Sequence, residues 1–368
     1  MSDVVIIGGG IVGCACAYEL TKHGASVTLL EYGKTGMQAT NAAAGMLAPM
    51  IEADIPGPMF RFGMRALGEY SAIVAELEER GGFAVEYRPD GILKVAFDDG
   101  QAQVMQARLS WQHQLGIPLH WLDGDGCHQA EPRLSDHVVA GLFSPTEGSV
   151  SNQLLALAFE RAALAHGATI RQREPFVGFT TAGGLVTGVR TPSGVVPCDA
   201  VVIAAGARSG QIAARLKGAV LPVRPIRGQM LALGGMSTPI RHIVWGPDGY
   251  LVPRANGLVF AGATVEDVGF RRRTTQSGLR SIRRMADRLV PQLAAAKQHF
   301  DWAGLRPGTP DDLPIIGPLP PFANAVAATG HYRNGILLGP LTGKLVAQGI
   351  VDGDWSGVPD EFAPSRFA

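Results

Sequence analysis

A chain of 368 residues with 46% hydrophobic and 17% charged side chains has the length for two domains and a large core. Basic and acidic residues balance at 32 each, so no global field draws the chain to nucleic acid or anionic lipid. Its 48 glycines suit a compact α/β enzyme with many tight turns and exclude a disordered chain.

Asp3-Val-Val-Ile-Ile-Gly8 reads as a buried strand, and Gly8-Gly9-Gly10-Ile11-Val12-Gly13 follows at once as G-x-G-x-x-G. A helical stretch runs from Ile11 to His23 and stops at Gly24. A second strand, Ser26 to Leu30, ends on Glu31. This order is the βαβ unit that holds a dinucleotide. Gly8 permits the tight turn, Gly10 lets backbone approach a pyrophosphate, and Gly13 lets the helix pack on the strand. The helix N-terminus offers free N–H groups to the phosphates, and Glu31 can accept from a ribose diol. The unit alone does not separate NAD from FAD.

Gln38 to Leu47 is small and polar, which suits backbone approaching a planar ligand or an ordinary loop. Residues 64–80 look helical and end at Gly81-Gly82. Residues 85–97 alternate around Pro89-Asp90-Gly91, a turn signal between strands. Helices are expected over 101–115 and 152–166. Asp199 to Gly206 reads as a buried strand of the same parallel sheet as the first. Residues 222–300 are strand-rich, with antiparallel strands expected at 228–233, 250–253 and 258–262 and a helix at 279–289. The chain returns to a glycine-rich loop at 329–340 and a helix from Leu341 to Val351.

The expected fold is therefore α/β. A Rossmann-type nucleotide-binding domain is assembled from 1–84, 150–221 and 301–368. A second, mainly antiparallel substrate domain comes from 85–149 and 222–300, and a crevice between the two would hold the substrate. Seven arginines between Arg271 and Arg288 suit a solvated helix face or a subunit contact better than a nucleic-acid patch, because no aromatics interleave them. Cys14, Cys16, Cys127 and Cys198 form no C-x-x-C and read as small buried hydrophobes in a reducing compartment. The histidines show no ligand spacing, so no metal is expected. No signal peptide or membrane span is apparent, and the expected location is the cytoplasm.

Asp301-Trp-Ala-Gly-Leu-Arg-Pro-Gly-Thr309, Gly262-Ala-Thr-Val-Glu-Asp-Val-Gly269, Ala42 to Leu47 and Gly330 to Pro340 together resemble the D-amino-acid-oxidase superfamily of FAD-dependent oxidoreductases. Within it the chain is most similar to the bacterial glycine oxidases, which serve the thiazole branch of thiamine synthesis. The resemblance runs from Val4 to about Val351. It implies non-covalent FAD, since covalent relatives use a late cysteine and none follows Cys198. Cofactor positions would be Gly8, Gly10, Ile11, Val12, Gly13, Glu31, Tyr32, Thr40, Ala44, Gly45, Met46, Phe176 and Gly206. A loop from His331 through Arg333, Asn334, Gly335 and Ile336 to Leu337 would face the flavin ring.

The resemblance further implies that Arg306 grips a substrate carboxylate, where a guanidinium fork suits two parallel N–H bonds. Tyr250 would touch the same carboxylate, and Arg333 would lie near the amine and the flavin. Each has a plainer alternative: an interface salt bridge, a half-buried strand tyrosine and a loop contact. The implied activity is oxidative deamination of glycine or a small amine, such as sarcosine or a small D-amino acid. Hydride passes from the α carbon to flavin N5, giving imine or glyoxylate, ammonia and hydrogen peroxide. No general base is assigned, and His331 is read as structural. Two departures bear on substrate choice. Val265 replaces a longer methionine and could widen the pocket, and Arg208 replaces a tryptophan. Partners would be a small amino acid or amine and molecular oxygen, with neither nucleic acid nor membrane. Relatives suggest a homo-oligomer, a tetramer. The alternatives are a dehydrogenase with a non-oxygen acceptor, a flavin subunit of a larger complex, and an NAD-dependent dehydrogenase.

Overall fold

The computed structural model describes residues 3–236 and 239–367, so the outermost expected domain limits, 1 and 368, lie outside the described residues. Two large sheets organise the chain. The first has six strands in the order Ile315–Pro318, Ala325–Thr329, Ala200–Ile203, Asp3–Ile7, Ser26–Glu31 and Thr169–Gln172. All pair in parallel except Ile315–Pro318, which runs antiparallel at one edge. The expected kinship of the strands near residues 3 and 200 holds: Val4 pairs with Ala200 and Ile7 with Ile203.

The helix Ile11–Lys22 has little amphipathic character, because it is enclosed on all sides: every residue from Ile11 to Thr21 is buried. It packs among the helices Pro58–Gly81, Asn152–Ala165 and Gly335–Val351 on one face of the sheet. A three-stranded antiparallel sheet, made of 178–182, 185–191 and 194–197, covers part of the other face.

The second sheet has eight strands, ordered Lys297–Gly308, Arg224–Gly234, Val259–Gly262, Gly249–Pro253, Ile243–Gly246, Ile92–Ala96, Ala140–Ser144 and His120–Asp123. It is antiparallel except where Ile243–Gly246 meets Ile92–Ala96. One face packs on the helix Gln276–Leu289, which buries Ile282, Met285, Ala286 and Leu289. The arginines of that helix lie outside this stripe, as its charge pattern suggested. Arg283 bonds Asp287 at 3.0 Å, and Arg288 bonds Asp248 at 3.3 Å. The other face looks toward the first sheet. The expected limit at 301 falls inside the strand Lys297–Gly308.

Two expectations need correction here. Residues 85–97 do not form paired strands around a turn. Only Ile92–Ala96 is a strand, while Glu86 has φ 54° and Arg88 bridges to Ser149. The backbone before Gly91 spends its hydrogen bonds on residues 147–151 instead of folding back on itself. The C-terminal helix also begins at Gly335, six residues before the expected start, with Pro340 inside it. Proline has no N–H to give the carbonyl four residues earlier, which belongs to Ile336. The hydroxyl of buried Tyr70 donates to that carbonyl at 3.1 Å, so the helix passes through the proline without an orphaned acceptor.

The four cysteines are free and buried. Among the described residues, no helix is long and apolar enough to cross a membrane, and no cluster of His, Cys, Asp or Glu could hold a metal.

Candidate active site

A cavity of about 640 Å³ runs between the two sheets, within the usual size range for a ligand site. Its floor is the βαβ turn. Gly8 has φ +112°, and a Cβ there would sit 2.5 Å from the Ala204 carbonyl oxygen. Gly10 borders the cavity, and a Cβ there would press on Thr40 Oγ1. Thr40 Oγ1 accepts from Ile11 N at 3.0 Å, tying the 39–46 segment to the first turn of the helix. Glu31 is buried and accepts from Gly9 N and Gly33 N, each at 2.8 Å. Each carboxylate oxygen keeps a lone pair for a further donor. Bare glycines, a helix N-terminus and a buried acid form a cradle that a nucleotide diphosphate fits.

Of the expected cofactor residues, Gly8, Gly10, Ile11, Val12, Glu31, Tyr32, Thr40, Ala44, Gly45, Met46, Phe176, Gly206, His331, Arg333, Asn334, Gly335 and Ile336 line this cavity. Gly13 and Leu337 do not. Gly13 works from behind, since a Cβ there would collide with the Gly8 carbonyl, so its absence lets helix and strand touch. Leu337 is 1% exposed and belongs to the core, because the segment expected as loop is already helix from Gly335. That earlier start brings a helix N-terminus, with its positive dipole end, to the cavity wall itself.

The other wall is a row across the eight-stranded sheet. Pairing registers align Trp302, Met230, Gly262, Tyr250, Trp245 and Lys94 on one face. In that row Tyr250 Oη donates to Met230 Sδ at 3.7 Å across bare Gly262, and the Tyr250 ring meets Trp245 edge-on at 5.7 Å. Arg306 lies on the same face, four positions along the strand from Trp302. Its guanidinium lies over Gly228, and its Nη1 donates to the Thr264 carbonyl at 3.0 Å. Among the described residues no carboxylate pairs with it. A half-buried cation facing a cavity without a counter-ion has donors free for an anion.

Arg333 is different. Its Nε lies 3.1 Å from Glu52, and its guanidinium stands 5.8 Å from the Trp245 ring. Glu52, which also lines the cavity, carried no signal in the sequence. It ends a one-turn helix, Pro49–Glu52, gripped by buried polar groups. Glu147 accepts from Ile51 N at 3.2 Å, Gln112 donates to the Met50 carbonyl at 2.8 Å, and Lys94 donates to the Ile51 carbonyl at 3.1 Å. Burial pushes the Glu147 carboxyl up to about 8, against the pull of backbone N–H groups. Burial likewise pushes the Lys94 ammonium down to about 8.

His331 is buried, and its Nε2 meets Thr342 Oγ1 at 2.9 Å. Thr342 donates its own hydroxyl proton to the Leu338 carbonyl, so His331 Nε2 carries the proton. Burial lowers the His331 pKa to about 4, which supports a neutral structural histidine. Val265 stands 58% exposed and does not line the cavity, so the expected widening at that position is not seen. Arg208 does line it, beside the Tyr32 ring at 5.5 Å and the Phe270 ring at 4.9 Å. Gly228 and Gly304, paired across two strands, were also missed. Isolated glycines within strand pattern were the available signal.

The family profile described as DAO, FAD dependent oxidoreductase, matches residues 3–349. The bifunctional protein ThiO/ThiG of Nostoc sp. is 36% identical over 354 residues, covering 95% of this chain and 53% of its own length. The chain thus spans about half the length of such bifunctional relatives. The glycine oxidase of Geobacillus kaustophilus is 34% identical over 94% of this chain and 92% of its own. A crystal structure of glycine oxidase from Geobacillus kaustophilus superposes with a TM-score of 0.94 at 30% identity, covering 100% of this chain and 99% of that one.

Proposed function

The chain belongs to the DAO family of FAD-dependent oxidoreductases, and from that premise we propose that it oxidises glycine or a similarly small amine or amino acid. The observation that carries this reading is Arg306, a cation on the cavity wall with no carboxylate partner among the described residues, close to the Tyr250 row. A carboxylate held by Arg306 and Tyr250 would be fixed in position and plane.

FAD, when bound, supplies the two-electron acceptor for the α carbon. The residues of the chain do the rest. The Gly8–Val12 turn and Glu31 would hold its phosphates and ribose, and the Gly335 helix end would offer its positive dipole to the flavin. Arg306 and Tyr250 hold the substrate carboxylate, and Trp245 and Met230 close one wall. The Arg333–Glu52 pair stands at the amine side. Positioning of this kind supplies a large part of a rate enhancement without a side-chain base. The balanced reaction takes glycine, oxygen and water to glyoxylate, ammonia and hydrogen peroxide. The 85–149 and 222–300 segments act as the substrate domain, and the imine product fits a role in thiazole assembly, consistent with the ThiO/ThiG name of the half-matched relatives. The same reading has a homo-oligomer in the cytoplasm.

The test is an aerobic assay of the FAD-loaded protein with glycine, sarcosine and D-alanine, following ammonia and peroxide. Turnover of at least one, lost in Arg306→Ala, supports the reading. Inactivity toward all three overturns it.

A further inference from the structure

Glu266 takes no part in the reaction as described, yet it is the hub of a polar network beside the cavity. Arg227, with a side chain 7% exposed, donates Nη2 to Glu266 Oε2 and Nη1 to the Arg273 carbonyl at 2.8 Å. Gln229 Nε2 and Thr264 Oγ1 each donate to Glu266 Oε1 at 2.6 Å. Gln229 N donates to Thr264 Oγ1 at 3.0 Å, and residues 227 and 266 exchange backbone hydrogen bonds at 2.8 and 3.0 Å. Gln229 is itself fixed by Thr275, whose N donates to its Oε1 at 2.6 Å. The segment 264–266 is thereby fastened to the strand Arg224–Gly234 by backbone and side chain together.

We propose that Glu266 is a positioning residue for Arg306, acting through the Thr264 carbonyl that accepts the Arg306 Nη1 proton at 3.0 Å. The inference rests on the reading of Arg306 as the carboxylate clamp. The Thr264 carbonyl is the one hydrogen-bond partner that the Arg306 side chain has among the described residues, so its place sets where the guanidinium sits. Burying an arginine and a carboxylate costs desolvation energy that their attraction rarely exceeds, and such pairs can serve specificity of arrangement instead of stability. Partial burial works against the charge on Glu266, but the bonds from Arg227, Thr264 and Gln229 outweigh it and hold its pKa down at about 2. Glu266 therefore stays ionised throughout the neutral range, and the network does not loosen there.

The test is titration of the FAD-loaded protein with acetate, a carboxylate without an amine, read from the perturbed flavin absorbance. Glu266→Gln should weaken acetate about tenfold, and Thr264→Val should weaken it in the same direction. In an Arg306→Ala background, Glu266→Gln should change acetate affinity by less than about twofold, because the route through Arg306 is already cut. Unchanged affinity in Glu266→Gln, or an equal loss with and without Arg306, overturns the proposal. Should Glu266→Gln not fold, unchanged affinity in Thr264→Val overturns it alone. If Arg306→Ala itself binds acetate like the parent, the clamp reading fails, and this proposal fails with it. A loss in Arg306→Ala with none in Glu266→Gln sinks this proposal only.

Discussion

Gly228→Ala isolates the placement of Arg306 from its charge. Gly228 is not in the left-handed region, so alanine meets no backbone strain there, and strand propensity is no worse. The added carbon would sit 2.5 Å from Arg306 Cζ, against the ~3.4 Å of an ordinary contact. The guanidinium therefore has to retreat by about 1 Å while the charge remains. A displacement of that size in a positioned group costs up to ~100-fold in rate. Loss of one charge-assisted hydrogen bond to the carboxylate costs about 2 kcal/mol, or roughly 30-fold in affinity. The expected result is acetate binding weakened by about 10- to 100-fold with FAD content and unfolding midpoint close to the parent. The assay is the flavin-absorbance titration, with thermal unfolding alongside. Parent-like acetate affinity in a folded, FAD-loaded Gly228→Ala would refute the reasoning.

Three further predictions concern the cofactor cradle and the fold. Gly45 has φ +80°, and a Cβ there would collide with the Val150 carbonyl, so Gly45→Ala should raise the FAD dissociation constant at least about tenfold in an apoprotein reconstitution followed by flavin fluorescence. Tyr70→Phe orphans the Ile336 carbonyl beneath Pro340 and should destabilise the protein by about 1–3 kcal/mol in urea unfolding; no change would mean that the helix does not need the tyrosine. His331 is held neutral by burial, with a pKa of about 4 in the fold against 6.5 unfolded. The unfolded chain takes up that proton first, so the stability from neutral His331 is fully present above pH 6.5 and drains away as pH falls toward 4. The full difference is about 3 kcal/mol, and His331→Gln should flatten this part of the stability profile.

The nucleotide cradle was legible because its demands are local. Gly8, Gly10 and Gly13 fall in one G-x-G-x-x-G spacing, where Gly13 meets the Gly8 carbonyl, and Glu31 ends the strand next to the turn; only the contacts of Gly8 with Ala204 and of Gly10 with Thr40 come from farther along the chain. Residues that meet across strands or between the two sheets were only partly legible. The resemblance pointed to Arg306 and Tyr250, and both line the cavity, but the seat of Arg306 on Gly228 depends on strand register. The pairing of Arg333 with Glu52 joins positions 281 apart, beyond any periodicity. The C-terminal helix start was misread because Pro340 is a local stop signal, and the hydroxyl that cancels it comes from Tyr70, on a helix far earlier in the chain. Val265 was placed at the pocket by analogy alone, while the fold turns it toward solvent.

The most direct test of the account is the reductive half-reaction without oxygen. The FAD-loaded protein is mixed anaerobically with glycine, sarcosine or D-alanine, and the flavin absorbance near its visible maximum is followed. The account predicts that at least one of the three bleaches the flavin in the parent protein and that Arg306→Ala needs far more of it to do so. Flavin that stays oxidised with all three, in a protein that holds FAD normally, would contradict it.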